Sequence, residues 1–152
     1  MNRPIRFRAW HKSYEEMFDV AAIDWNEDDT INLVKSQSAL NYDHDEGGYW
    51  AFPRHDIELM QFTGLLDKNG KEIYEGDIVK YARLGYRKNQ IGKIRWVDCC
   101  FVVVTDLWLR RGLALEQKEL IALQGGFETE VIGNVWENPM LLTQKESTAP
   151  AE

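Results

Sequence analysis

Leu59-Met60-Gln61-Phe62-Thr63-Gly64-Leu65-Leu66-Asp67-Lys68-Asn69-Gly70-Lys71-Glu72-Ile73-Tyr74-Glu75-Gly76-Asp77-Ile78-Val79 decides the fold of this chain. Asp67-Lys68-Asn69-Gly70 puts Asn and Gly where a tight reversal needs positive φ. Apolar residues on either side can pair across it, so a β-hairpin follows. Tyr74-Glu75-Gly76-Asp77 makes a second reversal around its glycine. Ile78 and Val79 then open another strand with β-branched side chains that suit a pleated, half-buried surface. The turn glycines each have a conformational task, so the run reads as turn chemistry rather than as a ligand-contacting loop.

Strand signals continue outward on both sides. Ile5, Phe7 and Ala9 alternate with Arg6 and Arg8, the period of a strand with one polar face in water. Met17 to Asp24 and Ile31 to Val34 flank the polar turn Asn26-Glu27-Asp28-Asp29, and with the first strand they predict an N-terminal antiparallel meander. Ser36 to Gly48 reads as a loop. Ile57 to Thr63 leads into the central hairpin, and Ile78 to Tyr81, Ile91 to Val97, Cys100 to Thr105 and Glu130 to Trp136 give four more strands. The expected fold class is therefore mainly β, with at most one or two short helices. The latter half is similar in layout to an SH3-like small barrel, whose closure removes exposed strand edges; the alternative is an open, strongly bent sheet. Leu113 to Leu123 is the one helix candidate, ended by Gly125-Gly126, with a loop holding a single helical turn as the other reading. Residues 143–152 are small, polar or charged and are expected to be disordered.

Three blocks of sequence carry a family resemblance: the run Leu59 to Val79, the opening Pro4-Ile5-Arg6-Phe7-Arg8-Ala9-Trp10, and the ending Val131-Ile132-Gly133-Asn134-Val135-Trp136-Glu137-Asn138-Pro139. Together they resemble the signature blocks of the YopX family of phage and prophage proteins. The resemblance implies a small, β-rich protein made in a bacterial cell from a phage or prophage gene. It brings no catalytic residue, cofactor or activity with it. It covers one domain over residues 1–142, or two subdomains, an N-terminal meander over 1–63 and a barrel over 64–142. Val34 to Arg54 matches none of the blocks.

Length and composition agree with a folded domain. The chain has 152 residues, 44% of them hydrophobic, with six each of Phe, Tyr and Trp to fill short β-layers. No apolar run approaches the ~20 residues that cross a bilayer, and Met1-Asn2-Arg3-Pro4-Ile5-Arg6-Phe7-Arg8 lacks the apolar segment of a signal peptide. A cytoplasmic protein without membrane contact is expected. Cys99 and Cys100 are adjacent, and neighbours in a strand point to opposite faces, so one buried and one partly covered thiol is expected rather than a disulfide or a zinc site.

Enzyme chemistry finds no assembled frame. Gly-x-Ser-x-Gly, the Walker A loop and Gly-x-Gly-x-x-Gly are all missing, and the histidines His11, His44 and His55 stand apart. Asp43-His44-Asp45-Glu46 offers consecutive ligands, which cannot all turn toward one ion, and the alternate spacing of a calcium loop is missing. Glu15, Glu16, Asp19, Asp24, Glu27, Asp28 and Asp29 form an acidic run with no Lys or Arg between Lys12 and Lys35. Nothing in it marks a buried carboxylate of shifted acidity, so it reads as a solvated meander face. No catalytic residue, cofactor or metal is expected.

The opposite charge block is the candidate contact site. Between Asp77 and Asp98 lie Lys80, Arg83, Arg87, Lys88, Lys93 and Arg95 with no acid among them, interleaved with Tyr81, Tyr86 and Trp96. Cations beside aromatic faces bind phosphates and stack bases. A net charge of −7 opposes long-range attraction to nucleic acid, and basic edge strands also serve to keep sheets from associating. Three functions stay open: a non-enzymatic accessory or regulatory binding protein whose partner is a host or phage protein or nucleic acid; an oligomeric structural module in which the acidic run meets the basic block of another copy; and, least favoured, an enzyme.

Overall fold

The computed structural model describes residues 4–36, 50–81, 90–97, 99–104 and 129–143. The chain forms two compact units, Met1–Gly64 and Leu65–Glu152. Strands account for nearly all the regular structure among the described residues, and two short 3₁₀ turns, Arg54–Asp56 and Pro139–Leu142, are its only helical pieces. The expected helix over Leu113–Leu123, most of the loop from Ser36 to Gly48, and the tail past Thr143 lie outside the described residues.

The first unit is an antiparallel meander. Strands β1 (Phe7–His11), β2 (Glu16–Trp25), β3 (Ile31–Ser36) and β4 (Trp50–Pro53) stand in the order β4-β3-β2-β1, and β5 (Ile57–Leu66) pairs with the other side of β1. Ala9 faces Phe18 on β2 and Leu59 on β5, which puts them on one side of the sheet. On that side Ala9, Phe18, Val34, Phe52 and Ile57 are buried together, with Val20, Ile31, Trp50 and Leu59 packed against them. Each large side chain hidden there contributes about 1.5–3 kcal/mol. Two irregularities in the β2–β3 register, at Val20/Ala22 and Asp24/Trp25, bend that long hairpin.

Two features of this unit differ from expectation. Arg6 is exposed, but from Arg8 on this side of β1 is not a solvated face: Met60, directly opposite Arg8, is buried, as are Trp10 and Phe62. The Arg6 guanidinium lies 4.6 Å from the centre of the Phe62 ring, and Arg8 Nη2 lies 3.8 Å from Met60 Sδ. Arginine's apolar stem and weakly hydrated head let it lie along hydrophobic surface, so alternation alone misleads here. Strand β4 falls in the stretch outside the family blocks. It pairs with β3 as Phe52 opposite Val34 and ends the sheet at Pro53, an edge position that suits proline.

In the second unit β6 (Glu72–Tyr74) follows the 67–71 reversal, and β7 (Asp77–Tyr81), β8 (Gln90–Val97), β9 (Cys100–Val104) and β10 (Thr129–Asn134) form a sheet in the order β10-β7-β8-β9. Ile73, Val79, Tyr81, Ile94, Phe101, Val103 and Val131 make its core, with Leu65 against them. Among the described residues this sheet is open and not a closed SH3-like barrel, because β9 and β10 stand at opposite ends of the order. The chain returns from β9 to pair β10 with β7, which leaves no closing ladder. β10 also stops at Asn134, so Val135 and Trp136 belong to a turn rather than to the expected strand. The β8–β9 hairpin turns at Cys99, exposed and at φ 65°, followed by half-buried Cys100, whose Sγ lies 3.3 Å from the Val97 carbonyl. Neither thiol is buried, contrary to expectation, because Cys99 occupies a turn and not the strand interior.

Candidate functional site

Register settles how the basic block is laid out. Lys80 stands opposite Ile91 on β8 and opposite Glu130 on β10. Lys93 and Arg95 follow Ile91 at intervals of two, so Lys80, Lys93 and Arg95 share one face of the sheet. Tyr81 and Trp96 point to the other. Tyr81 belongs to the core and its Oη donates to Gln90 Oε1 at 2.8 Å. Trp96 is paired with Phe101, its ring edge-on at 4.7 Å and 46% exposed. Among the described residues, cations and aromatics are therefore separated by the sheet and do not form a joint stacking platform. Arg83, Tyr86, Arg87 and Lys88 lie outside the described residues.

The cationic face is not bare. Ile78 and Val102, opposite Lys93 and Arg95, are fully buried on the same side. Part of the cover comes from the turn that follows β10. A Cβ on Gly133, which faces Ile78, would meet Leu141 Cδ1 at 2.9 Å and Asn138 Oδ1 closer still. Lys80 and Lys93 are half-buried, Arg95 is exposed, and Glu130 is held by Lys68 at 2.6 Å.

The buried polar chemistry of this unit lies elsewhere, in the residues that carry the family blocks. Asp67 Oδ1 accepts the N–H groups of Asn69 at 2.8 Å and Lys71 at 2.9 Å, and Oδ2 accepts Val131 N–H at 3.0 Å. Burial pushes this carboxyl up, but the three backbone donors and the nearby Lys71 charge outweigh it and hold it below the usual carboxylate range. One side chain thus closes the 67–71 turn and fastens it to β10. Asp77, also buried, accepts Tyr74 N–H at 2.8 Å, and Gly76 is bonded to Ile94 and Val135. Asn134 Oδ1 accepts the N–H groups of Trp136 and Glu137 while its amide donates to Glu137 Oε2.

The first unit shows the same economy. His11 is buried, its Nδ1 accepting Tyr14 N–H at 3.2 Å, and burial lowers its pKa against an opposing contribution from Asp56. His55 is exposed and beside Asp56; His44 and the Asp43–Glu46 run lie outside the described residues. The acidic run is a surface: Glu15, Asp19, Glu27, Asp28 and Asp29 are exposed and Asp24 pairs with Lys35 at 2.8 Å. Asp28 takes Thr30 Oγ1–H and N–H, which hold its carboxyl below the usual range and brace the β2–β3 turn. Among the described residues no group of three or more His, Cys, Asp or Glu could hold a metal, and no helix is long and apolar enough to cross a membrane.

The YopX protein family matches residues 6–143. Protein EF1440 from Enterococcus faecalis has a similar structure, at 26% identity and a TM-score of 0.57 over 93% of this chain and 99% of that one. Protein YopX from Bacillus subtilis shares the fold at 20% identity and a TM-score of 0.54, over 93% and 98% of the two chains. Comparison with curated proteins gives no match. With the family's match running through both units, from Arg6 on the approach to β1 to Thr143 after the last turn, the chain belongs to the YopX family.

Proposed function

We propose that this chain is a non-enzymatic accessory or regulatory binding protein, made in the bacterial cytoplasm from a phage or prophage gene. One observation carries the reading. Each buried carboxylate and the buried histidine among the described residues, Asp67, Asp77 and His11, accepts a backbone N–H. Groups spent on holding turns are poorly placed to move protons in a reaction. What is left for contact is surface. The test is isolation of the tagged protein from phage-induced cells, with co-purifying protein and nucleic acid both analysed, and calorimetry on the purified pair. The expected result is one stoichiometric partner, bound without turnover. Turnover of a small molecule by the purified chain, or no partner at any salt, would overturn the proposal.

A second reading rests on the shared face of Lys80, Lys93 and Arg95: contact with nucleic acid or another polyanion. With Tyr81 and Trp96 on the opposite side, such contact is to phosphates rather than to stacked bases, and so independent of sequence. Replacing the three by Gln should weaken binding to single-stranded and duplex DNA alike, and lower the salt slope by about one for each phosphate no longer neutralised. Unchanged retention of the variant on both would remove this branch.

A further inference from the structure

We infer that the turn joining β1 to β2 is a proton-operated latch, held shut by neutral His11 and opened when its ring takes up a proton. The geometry is specific. Nδ1 of His11 accepts Tyr14 N–H at 3.2 Å, so in the closed turn the ring's single proton sits on Nε2. The Tyr14 ring stacks on the imidazole at 4.2 Å, and Phe52 meets it edge-on at 4.7 Å. The same turn is closed by Glu15 N–H on the His11 carbonyl at 2.9 Å, with Glu15 at φ 52°, a left-handed conformation that costs an ordinary residue energy.

Protonation places a second N–H on Nδ1, facing the Tyr14 N–H. Two donors then meet with no acceptor between them, and the amide loses its partner. Attraction between an imidazolium and the Tyr14 and Phe52 rings opposes this only in part, since His11 as a residue is 4% exposed and a charge there is poorly hydrated.

The surroundings have both signs. From β2, Glu16 stands opposite His11 in register, and from the turn Glu15 adjoins it. From the 54–56 turn, Asp56 raises the ring's proton affinity, with His55 beside it at 3.4 Å and Arg54 bonded to the Ile57 carbonyl. From β5, Ile57 opposite is apolar, and the next residue, Glu58, is paired with Lys12 at 2.9 Å. From β4, Phe52 brings no charge. Burial outweighs Asp56 and lowers the pKa. The open turn therefore binds the proton better than the closed one, and closure is complete above about pH 6.5, the ordinary histidine value. It weakens by about tenfold per pH unit below that, down to the closed-state pKa.

The test is NMR on the full chain from pH 8 to 5, reading the His11 ring titration beside hydrogen exchange at the Tyr14 amide. Exchange at Tyr14 should accelerate from about pH 6.5 down to the His11 titration, by about tenfold per pH unit after correction for intrinsic rates, and level off once the ring is protonated, while amides of the β1–β5 ladder keep their protection. His55→Gln should leave the profile unchanged. His11→Phe keeps a ring but no acceptor and should exchange fast at Tyr14 at every pH; if that variant fails to fold, the wild-type titration decides alone. Tyr14 protection that stays flat from about pH 6.5 down to the His11 titration, or that is lost only together with the whole sheet, would overturn the latch.

Discussion

Asp67 shows how a single side chain can fasten distant parts of a chain. Its three backbone bonds join a local turn to a strand 64 positions away. Asp67→Ala leaves those donors without their acceptor, and unfolding by urea should show a loss of about 3 kcal/mol. The pH dependence has a definite sign. Its folded pKa lies below the unfolded value of about 3.9, so its stabilisation is whole above pH 4 and fades as pH falls toward the folded value. Urea midpoints of the wild type should drop across that window more steeply than those of Asp67→Asn, which has no carboxyl to titrate. Gly133 makes the complementary point through space: a methyl there would collide with Asn138 Oδ1 and Leu141 Cδ1. Asn138 Oδ1 already accepts Asn134 N–H, so it cannot move without breaking that bond. Gly133→Ala should lower stability by about 1–3 kcal/mol in the same assay.

At the level of elements, turns were more legible than strand faces. The Asp67–Gly70 reversal could be read because its chemistry is local: Gly70 sits at φ 81° with nothing within 4 Å of a would-be Cβ. Gly70→Ala should therefore cost about 1–2 kcal/mol through backbone strain alone, and Gly70→Asn less, since Asn tolerates that region. Thermal melts of the pair would separate strain from packing. Faces were harder to read. Tyr81 looked like a contact aromatic beside Lys80, yet it points into the core, because adjacent residues of a strand always part company. That signal was present in the sequence as parity: odd positions 93 and 95 cannot share a face with 96. The side taken by Arg6 and Arg8 could not be read so simply, since arginine suits water and apolar cover alike. Strand β4 had a signal too, Trp50 and Phe52 alternating up to Pro53, obscured by the polar loop before it.

At the scale of the whole molecule, the buried carboxylates among the described residues, Asp67 and Asp77, sit at reversals, and the acidic run lies at the surface. The sequence foretold the solvated acidic run of 15–29, whereas in the basic block of 80–95 Lys80 and Lys93 stand half-buried. It left a closed barrel and an open sheet as alternatives, because whether an edge closes depends on which distant strand arrives beside it, and β10 chooses β7. The residues that hold the turns and the proposed contact residues are thus different sets: Asp67, Asp77, Gly133 and Asn134 build, while Lys80 and Lys93 stand half-buried and Arg95 exposed. A side-by-side urea unfolding series separates the two sets most directly. Asp67→Ala and Asn134→Ala should each lose about 2–3 kcal/mol, and the triple change of Lys80, Lys93 and Arg95 to Gln should stay within about 0.5 kcal/mol of the wild type. The contrary result would be a triple variant that unfolds as early as Asp67→Ala, or Asp67 and Asn134 variants as stable as the parent.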